Sequence, residues 1–170
     1  MEKYAHFQGE TTAIQQKRCP MTEKTAYPIP AVGAVVFHEN KVLLVKRGKA
    51  PAAGYWAIPG GKMRLGEGYG EAAEREIFEE TGIRIRAGKV VWVMDLLEKD
   101  GQDRIIWHYL IVDVLGHYLE GQPRAGDDAK EAAWISEEEL GSLCVSPDTL
   151  KMLAETFGFG ENTHQTFSHQ

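Results

Sequence analysis

The chain has 170 residues, 43% hydrophobic and 26% charged, which suits one globular domain with a buried core and is short for two. Its formal net charge is −6, spread along the chain with no basic stripe, which argues against duplex nucleic acid as a partner and leaves a polyanionic ligand to be met by local cations. No apolar run approaches the length of a membrane span and the start M-E-K-Y-A-H-F-Q-G-E lacks a signal-peptide core, so no membrane partner is expected and the cytoplasm is the expected compartment.

Residues 1–28 are polar without clear periodicity and read as an N-terminal arm, either loosely held or serving as a dimer contact or lid. Y-P-I-P at 27–30 breaks the chain before the core. Residues 31–37 (A-V-G-A-V-V-F) read as a strand buried on both faces, 38–40 as a turn, and 41–47 (K-V-L-L-V-K-R) as a second strand. A loop over 48–54 leads to a short strand over 55–58, where Trp56 reads as a core anchor rather than a base-stacking platform. A glycine-rich loop then runs into a helix over 72–81, closed by Gly82, where a helix C-terminus favours a left-handed residue.

Residues 84–97 read as a strand with an irregular start, Lys99-Asp100-Gly101 as a tight hairpin turn on its D-G signal, and 103–115 as the returning strand. On that strand His108 and Tyr109 point to opposite faces, and His108 reads as buried and satisfied. Residues 116–128, with Gly121, Pro123 and Gly126, read as a loop, and 132–135 as a short strand. Ser136, with Glu139 three residues on, reads as a capping box starting a helix to about Leu143. Ser146-Pro147 opens a last helix to about Phe157, and 159–170 read as a disordered tail. Strands alternating with a few helices predict one domain over 29–158, an α/β fold with a mixed sheet sandwiched by helices. Cys19 and Cys144 make no disulfide framework and read as two free, buried or partly buried thiols; Cys19-Pro20 lacks the partners of a zinc ribbon.

The helix over 72–81 carries more negative charge than its stability explains. At about 100° per residue, Glu76, Glu79 and Glu80 share one face. Arg75 has acidic neighbours at Glu71 and Glu79, but within the helix Glu76 and Glu80 have no basic residue three or four positions away, Arg84 lying beyond Gly82. Both lie near the negative end of the helix dipole, where a carboxylate is disfavoured by about 0.3–1 kcal/mol. A solvated acidic face is the plain alternative; a divalent cation, which takes clustered carboxylate oxygens, would account for the repulsion.

The spacing decides between them. Gly61, Glu67, Arg75, Glu76, Ile77, Glu79, Glu80, Gly82 and Ile83 fit G-x5-E-x7-R-E-U-x-E-E-x-G-U, with U apolar. At about one residue in fifteen for each fixed position, a chance match is on the order of 10⁻⁹ per start point. The stretch resembles the Nudix box, the signature of the Nudix hydrolases, without a departure. One local difference lies beside it, where Gly68 stands at the helix start in place of the Ser or Thr cap common in similar sequences.

The resemblance covers roughly residues 29–157 and implies an α/β/α sandwich and an enzyme, a pyrophosphohydrolase that cleaves a nucleoside diphosphate linked to another moiety. It implies Glu76 and Glu80 as principal metal ligands, Glu79 as a third ligand or the holder of a water, and the Gly61 carbonyl as a further contact. Arg75 is expected to orient the carboxylates by pairing with Glu67. All-oxygen ligands suit Mg²⁺, with Mn²⁺ as a substitute. A general base is sought in G-D-D-A-K-E at 126–131, at Asp128 or Glu131, with a solvated acidic loop as the alternative. Arg47, Lys46, Lys62 and Arg64 are candidate phosphate cations, Lys62 and Arg64 being nearest the box in sequence. The flanks V-G-A-V-V-F and G-Y-W-A-I-P-G-G-K are similar to the ADP-ribose pyrophosphatase-like subgroup, so the first expected substrate is ADP-ribose, cleaved to AMP and ribose 5-phosphate. That subgroup usually carries a proline some sixteen residues past the box, and residues 97–101 here hold none. A (d)NTP pyrophosphohydrolase is therefore the second reading and a non-catalytic nucleotide sensor the third. A homodimer is the expected assembly.

Overall fold

A computed structural model describes residues 27–50, 52–126 and 129–160. The expectations for most of the arm, for Cys19, for the tail beyond residue 160 and for Asp128 lie outside the described residues. The elements are β1 (Ile29–His38), β2 (Lys41–Arg47), β3 (Trp56–Ala57), β4 (Gly60–Lys62), α1 (Tyr69–Thr81), β5 (Arg84–Lys99), β6 (Ile105–Glu120), β7 (Ala129–Ser136), α2 (Glu137–Leu140) and α3 (Pro147–Phe157). No described helix is long and apolar enough to cross a membrane.

The seven strands form one mixed sheet in the order β3-β2-β1-β6-β5, with β4 added to β1 and β7 to β2. Only β1 and β6 run parallel among the paired strands, with Gly33 opposite Asp113. Alternation along β1 and β2 sends side chains to two cores. Val32, Ala34, Val36 and Leu43 pack with Ala72, Ala73 and Ile77 of α1. Val35, Val42 and Leu44 pack on the other face with Trp56, Leu140, Met152 and Leu153. The sheet therefore lies between α1 on one side and α2 with α3 on the other, the expected α/β/α sandwich, and Trp56, 6% exposed, is the core anchor expected.

One edge of β1 is divided. Its last residues pair with β2 at Phe37–Val42 and His38–Lys41, across a two-residue turn in which Glu39 and Asn40 have φ of 50° and 59°. Its first half pairs instead with β4, Ala31–Lys62 through Gly33–Gly60. Beyond the turn β2 carries β3 and β7 away from β4, and the two halves meet where the Ala34 amide donates to the Pro59 carbonyl at 3.2 Å. A cleft opens at this split.

Several boundaries differ from the sequence reading. The start of β1 includes Pro30, so Y-P-I-P does not end before the sheet. Gly60–Lys62, expected in the loop, is a strand because its backbone completes the edge β2 leaves. The β5–β6 connection is not a two-residue D-G turn. Asp100 closes it by donating its amide to the Arg104 carbonyl at 2.9 Å, and Asp103, not Gly101, takes the left-handed conformation at φ 62°. Residues 116–120 continue β6 instead of forming a loop. Gly116 is there for packing, since a Cβ would stand 2.8 Å from Val36 Cγ2 and 2.9 Å from Ile85 Cδ1. The Ser136–Glu139 capping box forms, but α2 ends at Leu140, short of Leu143. Cys144 is an exposed free thiol, contrary to the burial expected of it.

Candidate active site

Helix α1 starts at Gly68, whose extended φ of −74° and ψ of 154° and amide donation to Glu71 Oε2 at 3.1 Å make the cap without a side chain. It ends at Gly82, φ 71°, whose amide donates to Phe78 O. The carbonyls left over at its C-terminus are taken by the segment after β6: Arg124 N donates to Thr81 O at 2.9 Å and Gly126 N to Glu80 O at 2.8 Å. This ties the acidic last turns of α1 to the segment after β6 and brings the chain at 126 beside Glu80.

Arg75 is the hub of the box. Its Nε and Nη2 donate to the two Glu67 oxygens at 2.6 and 2.7 Å, a bidentate pair that joins loop to helix as expected. Nη1 donates to Glu76 Oε1 at 2.6 Å and to Glu79 Oε2 at 3.1 Å. With its side chain only 16% exposed, the guanidinium is held firmly in the charged form by Glu67 first and Glu76 next. Glu67 is pulled down to about 2 by the hydrogen bonds from Arg75 and from the Arg64 amide.

The other carboxylates lie around the Gly60–Lys62 strand. Glu80 Oε2 accepts from Gly60 N at 2.9 Å. Glu76 Oε2 sits against Gly61, where a Cβ would come within 2.5 Å of it. Glu79 also accepts from Arg64 Nη2 at 3.1 Å. Each carboxylate is thus held by its own donor, and among the described residues no three His, Cys, Asp or Glu side chains are gathered on one point. The donor set is oxygen only and crowded against a glycine backbone, which fits a hard divalent ion better than zinc or copper.

Glu76, Glu79, Glu80, Gly61, Lys62 and Arg47 line one cavity of about 510 Å³ at the split in the sheet. Arg64 stands at Glu79, outside the lining. Lys49, not singled out in the sequence, lines the cavity as well. Glu131 does not: it faces Lys46 across β7–β2 and accepts from Lys46 Nζ at 2.9 Å, which occupies both. Ala129, the first described residue after Asp128, does line it.

The far wall comes from the β5–β6 hairpin. Tyr109, 8% exposed, faces the cavity with Trp107 stacked beside it, centroids 6.0 Å apart. His108 points the other way and is half-buried, its Nε2 3.3 Å from Asp95 Oδ1, so it is satisfied but less buried than expected. Asp113 lies deeper on the cavity face, and burial pushes its carboxyl up to about 6. The sequence offered one signal for it, an acidic residue inside an apolar strand.

Residues 28–156 match the NUDIX domain family. The ADP-ribose pyrophosphatase of Methanocaldococcus jannaschii is 38% identical over 124 residues, 73% of this chain and 71% of that protein. The Nudix hydrolase YvcI of Bacillus subtilis is 30% identical over 109 residues, 64% of this chain and 66% of that protein. Among solved structures, a MutT NUDIX hydrolase from Burkholderia pseudomallei superposes with a TM-score of 0.66 at 30% identity, over 78% of this chain and 99% of that one. Family members generally work with divalent metal ions. The similarity runs through the helix that carries the carboxylates and the sheet that holds them, so the chain belongs to the NUDIX family and is a Nudix pyrophosphohydrolase.

Proposed function

We propose that this enzyme hydrolyses the pyrophosphate bond of a nucleoside diphosphate linked to another moiety, ADP-ribose first, giving AMP and ribose 5-phosphate. The observation that carries the reading is one cavity lined by the box carboxylates, by Arg47, Lys49 and Lys62, and by Trp107 with Tyr109, the Lys62 ammonium standing 5.8 Å from the Tyr109 ring centre. It suits a ligand with charged phosphates and a flat or sugar-like remainder. The 38% identical relative supports ADP-ribose as that ligand.

Gly61 O, Glu76, Glu79 and Glu80 would hold Mg²⁺, with Mn²⁺ as a substitute. Bound there, the ion supplies Lewis-acid polarisation of the phosphates and neutralises their charge. Arg75, anchored on Glu67, sets the positions of Glu76 and Glu79. Lys62 and Arg47 meet the phosphates, and Arg64 orients Glu79 at the mouth. Asp128 is the proposed base, next to cavity-lining Ala129 and two residues after Gly126, which is bonded to Glu80 O. Glu131, committed to Lys46, is the weaker candidate.

The absence of the expected proline at 97–101 favours (d)NTP pyrophosphohydrolysis as a second reading. A hydrolysis screen in Mg²⁺ over ADP-ribose, NADH, nucleotide sugars, diadenosine polyphosphates and normal and oxidised (d)NTPs separates them by products. The expected leader is ADP-ribose, with Glu80→Gln lowering kcat by at least a hundredfold. NMP and pyrophosphate from a triphosphate would move the assignment to the second reading, and near-wild-type turnover by Glu80→Gln would overturn the metal site.

The homodimer belongs to the same proposal. Val93, Leu97, Ile106 and Leu110 are 42–56% exposed on one face of the β5–β6 hairpin, an apolar strip that a second copy would cover. Leu110→Lys is expected to yield monomer by light scattering.

A further inference from the structure

The cleft holds a buried carboxylate that the proposed chemistry leaves unused. Asp113 sits in the middle of β6, 6% exposed and opposite Gly33. A Cβ at Gly33 would collide with Asp113 Oδ1, so β1 leaves out a side chain where the carboxylate lies. No described residue donates a hydrogen bond to it or pairs with it, and burial alone raises its pKa. No side-chain oxygen among the described residues is both sealed from solvent and unbonded, so the Asp113 oxygens reach the cavity surface.

That surface is a junction. Asp113, Arg47, Ile58, Leu96 and Ile111 line both the main cavity and a second one of about 120 Å³, which continues past them to Trp92, Met94, Met152 and Asp148. Gly33 has Gly60 on one side and Asp113 on the other. The backbones of Asp113 and Gly60 are two strand spacings, about 10 Å, apart, but the Asp113 carboxylate reaches over Gly33 and so lies nearer the amide that holds Glu80. An unpartnered buried carboxylate costs free energy until a donor reaches it.

We propose that Asp113 is a specificity-determining residue, the acceptor at the cavity junction for a neutral hydrogen-bond donor of the substrate, either a sugar hydroxyl or a base N–H. The inference rests on the reading of the cleft as a nucleotide-hydrolase site and deepens it. Gly33 is the positioning residue that makes room for the carboxylate.

Calorimetric binding of AMP in Mg²⁺ tests this without turnover. The analogues are 2′,3′-dideoxy-AMP, which lacks the hydroxyls, and purine riboside 5′-monophosphate, which lacks the 6-amino group. Wild type is expected to lose at least tenfold in affinity for one of them, which identifies the donor. Asp113→Leu, with the same side-chain branching, should bind AMP as weakly as wild type binds that analogue, with no further loss on combining the two. Asp113→Asn should recover part of the loss, and Gly33→Ala, which keeps the carboxylate but displaces it, should weaken AMP like Asp113→Leu. Equal affinities of wild type and Asp113→Leu for every ligand, no binding by either included, would overturn the assignment. Absent hydrolysis with these differences intact would unseat the reaction reading alone; turnover with equal affinities would unseat this inference alone.

Discussion

At Asp113 the protein accepts a cost that no described residue offsets. Its folded pKa, about 6, is raised above the ordinary 3.8, so its contribution is neutral below 3.8, turns unfavourable as the pH rises from 3.8 to 6 and is full above that. The difference between 3.8 and about 6 corresponds to a penalty on the order of 3 kcal/mol above pH 6. Asp113→Asn should therefore raise the Tm at pH 8 and leave it nearly unchanged at pH 4, and equal gains at both would remove the ionisation argument. Glu67 has the opposite sign. Its pKa is depressed from 4.5 to about 2, so the stability it lends is whole above 4.5 and is lost as the pH falls through 2. Glu67→Gln should flatten that limb of an acid-unfolding curve. Because Glu67 anchors the arginine behind Glu76 and Glu79, the same change should cost about 10–100-fold in kcat. Glu67, Arg75, Glu76, Glu79 and Glu80 were legible in the sequence because their spacing is local to one loop and helix. Asp113 and Tyr109 were not, because which face of β6 looks into the cleft is decided by its register with β1, eighty residues away in the chain.

The elements divide in the same way. β1 and β2 could be read as strands because apolar runs end at a turn, and α3 because Ser146 and Pro147 open it and Gly158 closes it. Gly116 was misread because a glycine in a sequence signals a turn as readily as a close contact, and only the neighbouring Val36 and Ile85 show the contact. Gly116→Ala should destabilise by about 1–3 kcal/mol in urea unfolding, the range for overpacking a filled core, whereas a flexible loop position would give nearly none. The D-G pair failed for a related reason. Asp100 accepts amides from Gln102 and Arg104, which draws the turn out to five residues and moves the left-handed position to Asp103.

On the scale of the whole molecule, the carboxylates of α1 lie against an edge of β1 completed by β4, and the site is stabilised by whatever neutralises them. Mg²⁺ at about a hundred times its dissociation constant should add about 2.7 kcal/mol to wild type, read as a rise in Tm, and Glu80→Gln should lose most of that rise. The divided edge of β1 has one more consequence. The wall formed by β2 and β7 meets the wall that bears the carboxylates at a few places: the hairpin at 39–40, Leu43 packed against α1, and the run from Ala129 N through Gly126 to Glu80 O. Substitutions at Val45 or Arg47, which lie off those links, can reshape what is admitted without moving Glu76 or Glu80. Inheritance can act on the two walls separately, keeping one bond-breaking apparatus while the choice of metabolite drifts.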